Sequence, residues 1–112
     1  MFIMTSAAQA QPACLGEPFS ASATATGTIL NRESAKAIIT SAQRRLSRNW
    51  RAIAHKRYGP RYTKVKSGIC RCTVNTKTFT PGTRLRVTCV GTAPACSVGQ
   101  FFRVRFSVSH QN

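Results

Sequence analysis

Asn31–Tyr62, NRESAKAIITSAQRRLSRNWRAIAHKRYGPRY, is the stretch that decides the fold of this chain. Ala35, Ile39, Ala42, Leu46, Trp50 and Ile53 recur at steps of four, three, four, four and three. That spacing keeps them on one side of a 3.6-residue turn, and Ile38 and Ala54 widen the stripe. Asn31 is placed to cap the first turn with its side-chain oxygen, and Glu33 follows where the helix dipole favours an anion. Lys56 and Arg57 suit the opposite pole. Gly59 can adopt a positive-φ cap, and Pro60 cannot continue the helix. The spacing therefore predicts one long amphipathic helix that stops at Gly59-Pro60.

The side opposite the apolar stripe carries Arg44, Arg48, Arg51 and His55, again at steps of four, three and four. A run of charge on a helix is ordinarily a solvated face, with Glu alternating with Lys or Arg in i,i+4 pairs. Here no acid is available for such pairs. The chain of 112 residues, one domain by length, carries seventeen Lys and Arg against two acids, Glu17 and Glu33, for a net charge of +15. All the cations fall between Arg32 and Arg105, and most are Arg, whose planar fork grips phosphate or carboxylate oxygens two at a time. With a sequence pI near 11.4, this is the electrostatic footprint of a binder of nucleic acid or another anionic surface. The shortage of carboxylates excludes paired-acid catalysis and an acidic cage for Mg²⁺ or Ca²⁺.

Upstream of the helix, Met1–Gln11 reads as the tail of a secretory signal, with Ala8-Gln9-Ala10 as an A-x-A cleavage site and Gln11 as the first mature residue. The competing reading is a disordered N-terminus of a cytosolic protein. Residues 1–10 are thus assigned to a signal remnant and 11–30 to an N-terminal loop or edge strand. Within the latter, Ser20–Leu30 alternates Ser/Thr with Ala or Gly and favours neither. The basic α+β domain is expected over 31–108, with 109–112 as a tail.

Downstream, three runs alternate strictly and predict half-buried antiparallel strands. In Ile69–Val74, Cys70, Cys72 and Val74 oppose Arg71 and Thr73. In Thr83–Val90, Leu85, Val87 and Cys89 oppose Arg84, Arg86 and Thr88. In Phe101–Val108, Phe102, Val104, Phe106 and Val108 oppose Arg103 and Arg105. The fold class is therefore α+β: one long amphipathic helix on a three- to four-stranded antiparallel sheet, stapled by disulfides. Its expected core is Ile38, Ile39, Leu46, Trp50, Ile53, Val65, Leu85, Val87, Phe102, Val104 and Phe106. With those faces inward, Arg71, Arg84, Arg86, Arg103 and Arg105 emerge together on the far side of the sheet as a dense positive plate.

Four of the five cysteines lie within Cys70–Cys96. A hairpin register with Val74 opposite Leu85 sets Cys70 opposite Cys89, and Cys72 with Cys96 becomes the natural second pair, which leaves Cys14 free or intermolecular. Other connectivities stay open. The thiols lack the C-x₂-C knuckles of zinc modules, so no metal or other cofactor is expected. His55 and His110 beside many cations also permit a metal-free ribonuclease arrangement, one imidazole as base and one as acid, although no spacing brings them together.

Trp50-x₇-Tyr58-Gly59-Pro60-Arg61-Tyr62, followed by Thr88-Cys89-Val90-Gly91-Thr92-Ala93-Pro94-Ala95-Cys96, resembles a group of small exported cysteine-containing proteins of alphaproteobacteria. That group has a basic helix ending Trp…Tyr-Gly and then a Cys hairpin closing on Pro and Cys. The likeness covers Ala42–Cys96 and implies export and disulfides, with no catalytic residues. Cys72 and the tail Ser97–Asn112 depart from it, which leaves the disulfide pattern open.

Together these readings point to a non-enzymatic periplasmic or secreted binder of anionic polymer or anionic lipid surface, acting through Arg44, Arg48, Arg51, Arg71, Arg84, Arg86, Arg103 and Arg105. The alternatives are a nucleic-acid-binding protein or small cationic toxin, and a structural exported protein with no specific ligand.

Overall fold

The computed structural model describes residues 13–99 and, for the backbone, 106–110. The elements are β1 (Cys14–Thr28), α1 (Arg32–Tyr58), β2 (Ile69–Val74), β3 (Arg84–Cys96) and β4 (Phe106–His110). They form one four-stranded sheet in the order β1-β3-β2-β4, with α1 laid across β1 and β3. The expected signal remnant, Arg103, Arg105, Phe102 and Val104 lie outside the described residues.

The helix forms for the reasons its sequence offers. Asn31 Oδ1 accepts the Ser34 backbone N–H at 2.9 Å, and the Ser34 hydroxyl accepts the Asn31 N–H at 3.0 Å, so two orphan donors are satisfied reciprocally. At the far end the Gly59 N–H donates to His55 O at 2.8 Å, with Gly59 at φ 90°, a conformation that a side chain would strain. The stripe sinks as expected: Ala35, Ala42, Leu46, Trp50 and Ala54 are buried, and Ile38, Ile39 and Ile53 pack half-buried along its margin.

The N-terminal stretch is an edge strand. β1 pairs antiparallel with β3 along nearly its whole length, from Cys14 opposite Cys96 to Thr28 opposite Arg84, interrupted between Leu15 and Phe19 by a register shift that accommodates Pro18. Its inner face is small because the helix lies directly on it. Ala21, Ala23 and Ala25 are buried there, and a Cβ added to Gly27 would come within 2.8 Å of Ile38 Cδ1. The larger volume comes from Leu46, Trp50, Leu85 and Val87, all fully buried. Phe19 stacks on Trp50, ring centroids 5.0 Å apart and planes within 4°, and Arg57 covers the same Phe19 ring at 5.0 Å. Ile29, also fully buried, closes the β1–α1 corner through backbone hydrogen bonds with Thr83 and Gly82.

Two sequence expectations are corrected. First, β4 runs parallel to β2, not antiparallel. β1 and β2 already occupy both sides of β3, so a strand returning from the end of β3 cannot pair with β3 itself; it adds beyond β2 and runs in the direction of β2. Second, β2 pairs with β3 two residues further along than expected, Val74 opposite Val87 rather than Leu85, which sets Cys72 opposite Cys89. Asn75 fixes this register: its side chain accepts the Arg86 N–H at 2.8 Å and donates to Arg84 O at 3.1 Å.

The disulfides follow from the pairing. Cys72 is bonded to Cys89 and Cys14 to Cys96, each bridge joining residues directly opposite on neighbouring strands. Cys70 is therefore a buried free thiol rather than a disulfide partner, and Cys14 is bonded rather than free. The expected pairs Cys70–Cys89 and Cys72–Cys96 required a strand β3 that ended before Pro94. Instead β3 continues through Pro94 to Cys96, where it meets the start of β1. Two such bridges suit an oxidising environment. No helix among the described residues is long and apolar enough to cross a membrane.

Candidate anion-binding surface

A two-layer fold leaves two outer surfaces, the back of the helix and the uncovered face of the sheet. Fifteen of the seventeen cations lie among the described residues, and every one of them is exposed. None is drawn into the core, whose buried members are all apolar. The field of the folded chain is accordingly positive, with only Glu17 and Glu33 to offset seventeen cations.

On the helix, Arg44, Arg48, Arg51 and His55 are all exposed, separated along the axis by rises of about 6, 4.5 and 6 Å. The structure extends this row towards the N-terminus in a way the charge spacing did not indicate. A shallow groove of about 480 Å³ runs along the helix back, floored by Ala37, Thr40 and Ser41 and rimmed by Lys36, Arg44 and Arg48. Small side chains at i, i+3 and i+4 make the groove, and longer cations on either side wall it. Glu33 stands at its N-terminal end and is the one acid in contact with it. Ala37, Thr40 and Ser41 were legible only as small helix positions, and Lys36 only as one cation among many.

On the sheet, the expected plate divides. Arg84 and Arg86 stand two residues apart on β3, their Cα atoms about 7 Å apart, with Arg86 opposite Thr26 and Arg84 opposite Thr28 of β1. Arg71 sits on β2 opposite Val90, four residues further along β3 from Arg86, so about 14 Å separates them along the strand. Between them lies a row of threonines, Thr24, Thr88 and Thr73, in register across three strands. Arg71 is instead grouped with exposed Ile69 and Val90 and with Thr92, around a depression of about 360 Å³.

The junction between the two surfaces is the edge of β1. An exposed edge presents carbonyl oxygens, which repel an anion and invite a foreign strand. Here Arg45 Nη1 donates to Thr24 O at 2.8 Å, and Asn49 Nδ2 donates to Ser22 O at 2.8 Å. A second groove, of about 420 Å³, is lined by Ala23, Thr24, Arg45, Arg48 and Asn49. Arg48 borders both grooves. On the sheet side of the edge, Arg84 Nη2 reaches Thr26 Oγ1 at 3.4 Å, a weak contact that leans the guanidinium towards β1.

The remaining thiol is not part of these surfaces. Cys70 is 2 % exposed, and burial pushes its ionisation up to about 12, so the nucleophilic thiolate is scarce at neutral pH. His55 is exposed on the helix, and His110 belongs to β4, where it registers opposite Val74. Comparison with known proteins adds no relative to this geometry: no protein-family model, curated protein or solved structure matches the chain.

Proposed function

We propose that the protein is a non-enzymatic, exported binder of anionic polymer, held by arginines on the helix back and on the open sheet face. The observation that carries this reading is the exposure of every described Lys and Arg in a chain with only two acids. Like charges at such density are destabilising without a screening partner, and guanidinium forks are suited to oxyanions. Polymer is favoured over lipid surface because the grooved back of the helix holds Ala37, Thr40 and Ser41 between its cations and no large apolar side chain that would enter a bilayer. The two disulfides support an oxidising, non-cytoplasmic setting.

The test is retention of the oxidised protein on immobilised heparin, alongside sedimentation with anionic and with neutral vesicles, at moderate salt. The reading predicts retention on heparin, with the triple substitution R44S/R48S/R51S eluting at lower salt. Sedimentation with anionic vesicles without heparin retention would replace polymer by membrane. Absence of both would leave a structural role in which charge governs solubility.

A further inference from the structure

Resting on that reading, we infer that the ligand is a flexible single-chain polyanion lacking aromatic bases, which crosses the β1 edge and touches both outer faces of one molecule. Three features define the path. The groove on the helix back and the groove over the β1 edge share Arg48, so the positive lining is continuous from Lys36 to Arg45. At the edge, the carbonyls of Thr24 and Ser22, which would repel an anion, are occupied by Arg45 and Asn49 donors. A guanidinium carries five N–H groups, so Arg45 retains donors for a ligand while covering the edge. Beyond the edge stand the exposed hydroxyls of Thr24 and Thr26, and one strand further in, about 4.8 Å away, Arg84 and Arg86.

This path turns from one side of a two-layer fold to the other. The layers are separated by about 10 Å, so a ligand touching both reverses direction over a few tens of ångströms. Duplex DNA has a persistence length of about 50 nm, and even a bend of about 90° over a short site costs several kcal/mol. Flexible single chains of phosphate, sulfate or carboxylate groups make the turn at little cost. Single-stranded nucleic acid is flexible enough, but its usual binding sites stack bases on aromatic rings, and none of the residues lining the two grooves is aromatic.

The experiment compares wild type with R84S/R86S, two exposed positions on the far side of the edge. Fluorescence anisotropy is recorded across a salt series with labelled polyphosphate and with a short DNA duplex, and thermal unfolding confirms that the variant is folded. With polyphosphate, loss of two contacts lowers the magnitude of the log K–log salt slope by about 1.4, or about tenfold in affinity near physiological salt. With the duplex, the variant leaves slope and affinity unchanged, because the duplex engages only the helix side. Equal loss for both ligands, or no loss for polyphosphate, overturns the wrapped path. Failure of the wild type to bind polyphosphate at low salt overturns the polyanion reading on which it rests.

Discussion

Removing single cysteines separates the observed connectivity from the one the sequence favoured. In the structure, Cys14→Ala opens a bridge between residues 82 apart in sequence, whereas Cys70→Ala touches no bridge. Loop-closure entropy for a crosslink of that span is about 4.5 kcal/mol at 25 °C. Cys70→Ala removes one buried sulfur, about the size of a methylene, and so costs about 1 kcal/mol with its small cavity. In urea, with a slope of about 1.5 kcal/mol per molar, these become midpoint shifts of about 3 M and under 1 M. Against a stability of about 5–15 kcal/mol for a domain of this size, the first variant sits close to unfolding. Under the alternative pairing of Cys70 with Cys89 and Cys72 with Cys96, the order reverses and Cys14→Ala is harmless. Equilibrium urea unfolding of the two oxidised variants, followed by circular dichroism, decides it. A larger loss for Cys70→Ala than for Cys14→Ala refutes the assigned β2–β3 register.

Two further outcomes follow from the core. Trp50→Ala empties a fully buried site, ends the stack on Phe19 and removes the indole donor to Ala93 O, so a loss of about 3–5 kcal/mol is expected in the same urea assay; a loss under about 1 kcal/mol would contradict the helix placement. The folded state holds the Cys70 proton more tightly than the unfolded chain does, with the thiol raised from 9.0 to about 12. Its contribution to stability is therefore intact below 9.0 and is lost as pH rises towards about 12, so unfolding followed at several pH values should fall more steeply for wild type than for Cys70→Ala. Parallel curves for the two proteins would contradict it.

Much of this architecture was legible because it depends on period and punctuation. The helix announced itself through the Ala35–Ile53 spacing between Asn31 and Gly59, and β2 and β3 through alternation of Cys or aliphatic residues with Arg or Thr. The disulfide pairing was not legible for a definite reason. Strand faces repeat every two residues, so sliding β2 by two along β3 leaves every inward and outward residue unchanged. The Asn75 side chain, which clamps the Arg84 and Arg86 backbone, and the Cys72–Cys89 bridge mark the observed register. β1 was ambiguous because its inner residues, Ala21, Ala23 and Ala25, are too small to signal a core; they are small because the helix presses on them. Arg44, Arg48 and Arg51 were found as a row on the helix, and Arg84 and Arg86 as a pair on the sheet. The edge that joins them depends on Arg45 and Asn49 reaching backbone more than twenty residues away, and no local pattern carries that.

The most direct test of the charge-based account is the salt dependence of polyphosphate binding by the unaltered, oxidised protein. Lys36, Arg44, Arg45, Arg48, Arg84 and Arg86 border the path, and at about 0.7 per neutralised charge on a single chain they predict a log–log slope near −4. A slope near zero, or no binding at low ionic strength, would contradict the claim that these surfaces exist to hold an anion.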